Sequence, residues 1–323
     1  MPTEILHRIH QIVLPTPFPV GPVNCYLSST VPITLIDTGT RWEASQEKLS
    51  AELQELGMSL CDIERIIITH PHPDHCGFAA EIVSQSGAEV WTHRLNETLL
   101  APTEQSREKS HAFYRQLFVN CGMPELQLEE YFQSRRESRS YTEPVRTTRT
   151  LAEGDQIEFA EANWTVYHTP GHSGGLICLF QPELRVLLAN DHILRSISSN
   201  PIVEPDPDGG PRPHRLVEYL HHLQRMADLD PVVVWTGHGA EIHDLQKIVR
   251  QRIRFHQRRA EYILDMLASR AMTAFEIAQA IFGTRVGFDV FLSLSETIGH
   301  LDWLEEQGKI QSEDRNGVAY WNT

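Results

Sequence analysis

The strongest chemical signal is Thr69-His70-Pro71-His72-Pro73-Asp74-His75, in which three histidines and an aspartate occupy six successive positions after the run Ile66-Ile67-Ile68. Imidazole and carboxylate are ligands for divalent transition metals. In an extended segment His70 and His72 point the same way, and Pro71 and Pro73 hold the chain near that conformation. Asp74 and His75 then fall at the turn into the next helix and aim at a second point nearby, which is what a two-metal site needs. The plainer reading makes Asp74 a helix N-cap among surface histidines. Three further features weigh against it: His172 in Thr169-Pro170-Gly171-His172-Ser173-Gly174-Gly175, Asp191 after Val186-Leu187-Leu188-Ala189-Asn190, and His238 in Thr236-Gly237-His238-Gly239. Each follows an expected strand, and the flanking glycines allow tight turns around the side chains. Together they make seven candidate ligands, five imidazoles and two carboxylates.

The elements that must carry these residues alternate. Residues 31–37 read as a buried strand, 43–56 as a helix with Leu49, Leu53 and Leu56 at helical spacing and Gly57 as its stop. Ile63 and Ile66–Ile68 form a second strand, 77–86 a helix and 88–92 a third strand. Strand patterns return over 157–188, a helix over 214–228 and a buried strand over 231–235. This alternation predicts a layered α/β fold. Residues 94–150 interrupt it as a charged helical insertion with Phe113, Leu117 and Phe118 on one face, either covering a site or lying solvated on the surface. From about residue 244 the character changes to three helices and a two-stranded tail, predicting two units, 1–243 and 244–323.

In order and spacing, five separated motifs covering most of residues 20–243 resemble the metallo-β-lactamase superfamily of hydrolases. The resemblance implies a four-layer αββα sandwich. It places one metal on His70, His72 and His172 and the second on Asp74, His75 and His238, with Asp191 bridging both. Asp37, in Leu35-Ile36-Asp37-Thr38-Gly39, matches the family's first motif and is implied to orient the site from behind the ligands. Asp74 is implied to orient the metal-bound hydroxide that attacks the substrate. Zinc is the expected metal, with iron and manganese suited to the same donors. Two divalent ions bring about +4 and Asp74, Asp191 and a bridging hydroxide about −3, leaving about +1 for a developing oxyanion. Phe78 stands where the family has a glycine, and Cys76 is not at the ligand position that cysteine takes in zinc β-lactamases. With His75 present, the pattern is similar to the glyoxalase II and thioesterase branch. Residues 244–323 resemble the small winged-helix domain appended to one branch, which includes an endoribonuclease and thioesterases acting on acyl carriers.

Other residues carry weaker expectations. His192 is a candidate to support Asp191, or a packing residue; Arg195 is a candidate contact for an anionic substrate tail, or half of a surface ion pair. His168 reads as core, and His221, His222 and His243 as solvated.

Charge and composition narrow the function. The 323 residues carry 28 basic and 43 acidic side chains, a net charge of −15, which repels nucleic acid at long range. The expected recognition helix of the tail, Ser293–Gln307, has no Lys or Arg and carries Glu296, Asp302, Glu305 and Glu306, so DNA is not an expected partner. No 18-residue apolar run and no secretory leader pattern are present. Five cysteines without a CxxC suit reduced thiols, so a cytoplasmic protein is expected. The favoured activity is metal-dependent hydrolysis of a thioester or ester of a small acyl group, on a CoA- or glutathione-type carrier, with a homo-oligomer left open. The alternatives are a single-strand endoribonuclease, a ligand-sensing winged-helix regulator, and a mononuclear iron oxygenase acting on persulfides.

Overall fold

The computed structural model describes residues 6–323. The first sheet has six strands in the order β1 (Ile9–Leu14), β2 (Val23–Ser28), β3 (Thr34–Ile36), β4 (Arg65–Ile68), β5 (Glu89–His93), β6 (Arg149–Leu151). β1, β2 and β3 pair antiparallel, and β3 through β6 pair parallel. Helices α1 (Glu43–Glu55), α2 (Pro73–Cys76) and α3 (Ala79–Ser86) provide the crossovers. A short α4 (Glu97–Leu100) follows β5, and α5 (Glu104–Asn120) and α6 (Glu125–Ser138) form the insertion ahead of β6.

The second sheet has five strands, β7 (Gln156–Phe159), β8 (Ala162–His168), β9 (Ile177–Gln181), β10 (Val186–Asn190) and β11 (Val233–Thr236). Its first four strands pair antiparallel in chain order, and β10 pairs parallel with β11 across α7 (Arg215–Asp228). The central strands β4, β9 and β10 are buried along their whole length, as strands covered on both faces must be.

Three apolar clusters give the layers. Ile36, Ile67, Trp164, Val166 and Leu188 fill the space between the sheets. Leu49, Leu53 and Ile82 seal helices α1 and α3 against the outer face of the first sheet. Leu216, Leu223 and Val249 do the same for α7 and the start of α8 (Leu245–Leu267) on the second. The order is therefore helix, sheet, sheet, helix. At ~25 cal/mol per Å² of apolar surface, each such seam outweighs single polar contacts in holding the layers.

The remainder of the chain is β12 (Met272–Thr273), α9 (Ala274–Phe282), α10 (Phe288–Glu306), β13 (Gln311–Arg315) and β14 (Val318–Asn322). The three strands form a small sheet in the order β12-β14-β13. Its helices share one core with the insertion: Tyr114, Phe118, Leu128, Tyr131 and Phe132 pack with Ile263, Phe275, Phe291, Leu294 and Leu301. The aromatic face of the insertion is thus buried against the C-terminal helices. Helix α10 is enclosed so fully that Ser293, Ser295, Glu296, Thr297, His300 and Asp302 are all buried. A helix so covered cannot enter a nucleic-acid groove. Arg212 holds Asp302 through two bonds of 2.7 and 2.6 Å, and Arg259 holds Glu296 at 2.7 Å. Among the described residues no helix is long and apolar enough to cross a membrane.

Candidate metal centre

The candidate ligands all leave the C-terminal ends of strands: His70, His72, Asp74 and His75 after β4, His172 after β8, Asp191 after β10 and His238 after β11. These ends meet at one edge of the sandwich. His72 has extended backbone (φ −73°, ψ 147°) and caps α2, with Pro73 as the first helical residue. The extended segment and the following turn aim their side chains at two neighbouring points. His70, His72 and His172 offer atoms within 4.8 Å of one another, and so do Asp74, His75 and His238. Asp191 faces both groups: its Oδ2 is 3.7 Å from His172 Nε2 and 3.5 Å from His238 Nε2, and its Oδ1 is 3.5 Å from His75 Nε2.

The outer ring nitrogens are spent on acceptors. His75 Nδ1 donates to Asp37 Oδ2 (2.7 Å), His172 Nδ1 to the Asn200 carbonyl (3.0 Å) and His238 Nδ1 to the Pro22 carbonyl (2.8 Å). Thr69 gives its single hydroxyl proton to Asp37 Oδ2 (2.8 Å), so at 3.1 Å its oxygen accepts from His70 Nδ1. Four imidazoles are thereby oriented with Nδ1 outward and Nε2 inward, the nitrogen a metal would take. Within the cluster, His70 Nε2, His75 Nε2, His238 Nε2 and Asp191 Oδ1 are buried without a hydrogen-bond partner. Buried polar atoms are ordinarily paired, and lone pairs aimed at a common point fit a cation. The donor set of imidazoles and carboxylates matches divalent zinc, iron or manganese.

Electrostatics divide the cluster. Burial, then neighbouring imidazoles, hold His70 well below the ordinary histidine value; burial and His172 hold His72 at about 3. His172 is also lowered by burial. Burial acts the same way on His75 and His238, but the carboxylates outweigh it, Asp191, Asp37 and Asp74 at His75, Asp191 and Asp74 at His238. His75 is raised well above its usual value and His238 to about 10. Negative charge is therefore concentrated at the point shared by Asp74, His75, His238 and Asp191, where a cation gains most.

The supporting residues sit close behind. Asp37 is fully buried and adopts a left-handed backbone (φ 58°) to reach both Thr69 and His75. A Cβ on Gly237 would overlap Asp191 Oδ1 and lie 3.0 Å from His75 Cε1, so only glycine lets that turn pass. His192 is buried and packs edge-on against Tyr219, with ring centroids 5.5 Å apart, and both its ring nitrogens lack a hydrogen-bond partner. Arg195 is exposed, and its carbonyl accepts from Arg252 Nη2 at 3.1 Å. His168 is half-buried, bonded to the Gly174 carbonyl (2.8 Å) and stacked on His93. His221 and His243 are exposed, whereas His222 is half-buried and lowered by burial to about 4.

Several contributors leave no local trace in the sequence. The carbonyls of Pro22 and Asn200 are set by the fold alone. Glu204, half-buried beside Arg215 (3.2 Å), accepts from Gly174 N at 2.7 Å and steadies the turn bearing His172. A second cluster, His256, Glu296 and His300, sits on α8 and α10, in a second core formed by the insertion and the C-terminal helices; its one sequence trace is the four-residue spacing of Glu296 and His300 on a helix.

Residues 18–238 match the family model described as the metallo-beta-lactamase superfamily. The chain is 33% identical over 312 residues to a probable metallo-hydrolase, YqjP, of Bacillus subtilis (strain 168), covering 97% of each chain. It is 24% identical over 298 residues to the atrochrysone carboxyl ACP thioesterase of Passalora fulva, covering 89% of this chain and 71% of that one. Its fold superposes on the crystal structure of the metallo-beta-lactamase family protein TTHA1429 from Thermus thermophilus. The TM-score is 0.83 and the identity 28%, with 98% of this chain and 99% of that one covered.

Proposed function

The chain belongs to the metallo-β-lactamase superfamily, and on that basis we propose that it is a dinuclear metallohydrolase cleaving a thioester or ester of a small acyl group. The observation that carries the reading is the convergence of seven donors, several of whose inward atoms find no protein partner. His70, His72 and His172 would hold one cation and Asp74, His75 and His238 the other, with Asp191 toward both. When bound, two divalent ions, zinc by preference, supply Lewis acidity to a carbonyl and make water acidic enough to be deprotonated at neutral pH. The chain's own groups position the reaction. Asp37 holds the His75 ring, Gly237 leaves Asp191 its place, and Asp74 accepts a hydrogen bond from the attacking water and orients it.

Among the described residues the site has no ligand cysteine, and one relative supports a thiol-borne acyl group. Cys76 is turned toward the Pro71 carbonyl (3.5 Å) and away from the ligand set, unlike the ligand cysteine of zinc β-lactamases. The Passalora fulva relative is named for thioester cleavage. The C-terminal helices and their small sheet are read as a winged-helix-like packing module.

Metal analysis of the purified chain should return two equivalents of divalent ion. A panel of acyl thioesters, lactones, β-lactams, phosphodiesters and RNA should show turnover of thioesters above the rest. A single equivalent of metal overturns the dinuclear reading, and cleavage confined to phosphodiesters or RNA overturns the thioester reading.

A further inference from the structure

The insertion carries four arginines that the acyl-transfer chemistry does not use. Arg107 lies on α5, Arg135 and Arg136 on α6, and Arg139 directly after it. Arg135 reaches across the helix pair to Ser110 (2.8 Å), one turn from Arg107, and its guanidinium lies over the Tyr114 ring at 4.5 Å. Arg139 follows Arg135 by four residues and Arg136 by three, so it neighbours each of them on the helix surface. Arg107, Arg136 and Arg139 are exposed. Of the neighbouring carboxylates, Glu125 and Glu129 pair with Arg115, Glu143 pairs with Arg41 and Glu137 accepts from Gln133, while Glu104, Glu108 and Glu130 on the same helices enter no ion pair among the described residues. The four guanidiniums have no ion-pair partner among the described residues. Arg139 is held below the ordinary arginine value by partial burial and then by Arg135, Arg107 and Arg136. Like charges gathered in a chain of net −15 repel one another, and their arrangement suits a polyvalent anion.

The cluster adjoins the metal centre through the chain itself. Arg139–Tyr141 form a short 3-10 turn whose last carbonyl lies against Gly77, just past the turn bearing Asp74 and His75. Arg41 N donates to the Tyr141 carbonyl (2.8 Å), and Thr142 Oγ1 lies 3.9 Å from Cys76 Sγ. Gly77 has no room for a Cβ, because the Pro73 and Tyr141 carbonyls crowd it. Phe18 meets Tyr141 edge-on (centroids 5.4 Å apart) from the loop whose Pro22 holds His238. The run that begins at Arg139 thus lies two residues from a carbonyl seated beside the turn that bears Asp74 and His75.

We propose that Arg107, Arg135, Arg136 and Arg139 receive the phosphate groups of the substrate's carrier, so that the thioester is that of a small phosphorylated nucleotide thiol of the CoA type and not of glutathione. The inference rests on the thioesterase reading for its substrate, while the anion site itself can be measured without hydrolysis. Guanidinium groups bind phosphate through paired, charge-assisted hydrogen bonds, and phosphates anchored here leave the acyl end free to extend past Phe18 and Tyr141 toward the metal ligands.

Calorimetric titration of the metal-loaded protein with adenosine 3′,5′-bisphosphate tests the site directly. Binding should weaken about tenfold or more in R136E/R139E, both exposed positions, and should weaken in the wild type as salt rises. No binding to the wild type, or equal binding in both proteins, overturns the proposal; equal binding would place the anion on the metals. In turnover, the wild type should show a lower KM for acetyl-CoA than for acetyl-pantetheine, and the variant should lose that preference by about tenfold. An unchanged preference overturns the proposal. A short oligouridylate that binds more tightly than the bisphosphate at equal salt assigns the arginines to RNA and overturns it as well. If no thioester is turned over, the hydrolase reading fails, and the titration alone still decides the phosphate site.

Discussion

Two buried histidine clusters in this molecule look alike by composition and differ in how their atoms are satisfied. At the strand ends, His172 Nε2 faces His72 Nδ1 at 2.9 Å, and several neighbouring donors have no partner at all. In the second core, His256 Nδ1 faces His300 Nε2 at 3.2 Å, a similar approach. There the chain closes on itself: His300 Nδ1 donates to the Glu296 carbonyl (2.7 Å), His256 Nε2 meets Ser198 Oγ (2.9 Å), and Arg259 neutralises Glu296. No nitrogen of His256 or His300 is left without a partner. The first arrangement calls for cations, and the second is complete as a hydrogen-bond chain. Proximity of histidines is therefore weak evidence for a metal, whereas several unspent atoms converging on one point are strong evidence.

The largest expected effect is at Asp191. Asp191→Asn removes a charge facing both candidate cations and should lower kcat/KM at least about a thousandfold, the scale of several kcal/mol of lost charge stabilisation. His256→Gln should retain both metal equivalents by elemental analysis; loss of one equivalent would break the contrast between the clusters. An intermediate effect belongs to Gly237→Ala, whose methyl group displaces Asp191. A shift of this size in a reacting constellation costs about a hundredfold in kcat/KM, and activity equal to wild type would show that the turn has slack.

The smallest effect is on stability. Burial, then His300, holds His256 at about 2 in the folded chain, and burial also lowers His300. A histidine kept neutral by the fold takes up its proton only on unfolding. Its stabilisation is complete above the unfolded value of about 6.5 and is lost as pH falls below it. At pH 5 the loss at His256 amounts to at most about 2 kcal/mol. The wild type should thus show a falling Tm between pH 7 and 5, with a shallower fall in His256→Gln; parallel slopes would mean that His256 does not carry the effect.

How much of the site could be read in advance depended on where its parts lie in the chain. Four donors fall within six residues of a β-branched run, so their geometry follows from strand and proline conformation without tertiary help. Asp191 and His238 each follow a short apolar strand, a pattern visible locally. β2 had no such signature: Val23–Ser28 is buried throughout, and its polar Asn24 is satisfied by the Thr236 and Gly239 carbonyls of a distant turn. The apolar face of the insertion, with Phe113, Leu117 and Phe118, was likewise plain, but its partners lie in the C-terminal helices. An amphipathic stripe states that something must cover it and not what.

Residue types and their short-range spacing were enough to nominate the candidate ligands, to order the strands and helices that present them, and to show that α10 carries no Lys or Arg. These properties are local, so no folded neighbour is needed to read them. Packing of the layers decided the rest: which imidazole nitrogens face inward, that Asp191 faces both donor groups, that the His256 cluster finds its partners within the chain, and that the end of the insertion meets the turn carrying Asp74. Each of these depends on a hydrogen bond, a void or a charge separation between segments far apart in the chain, and such distances exist only once the sheets and helices have come together.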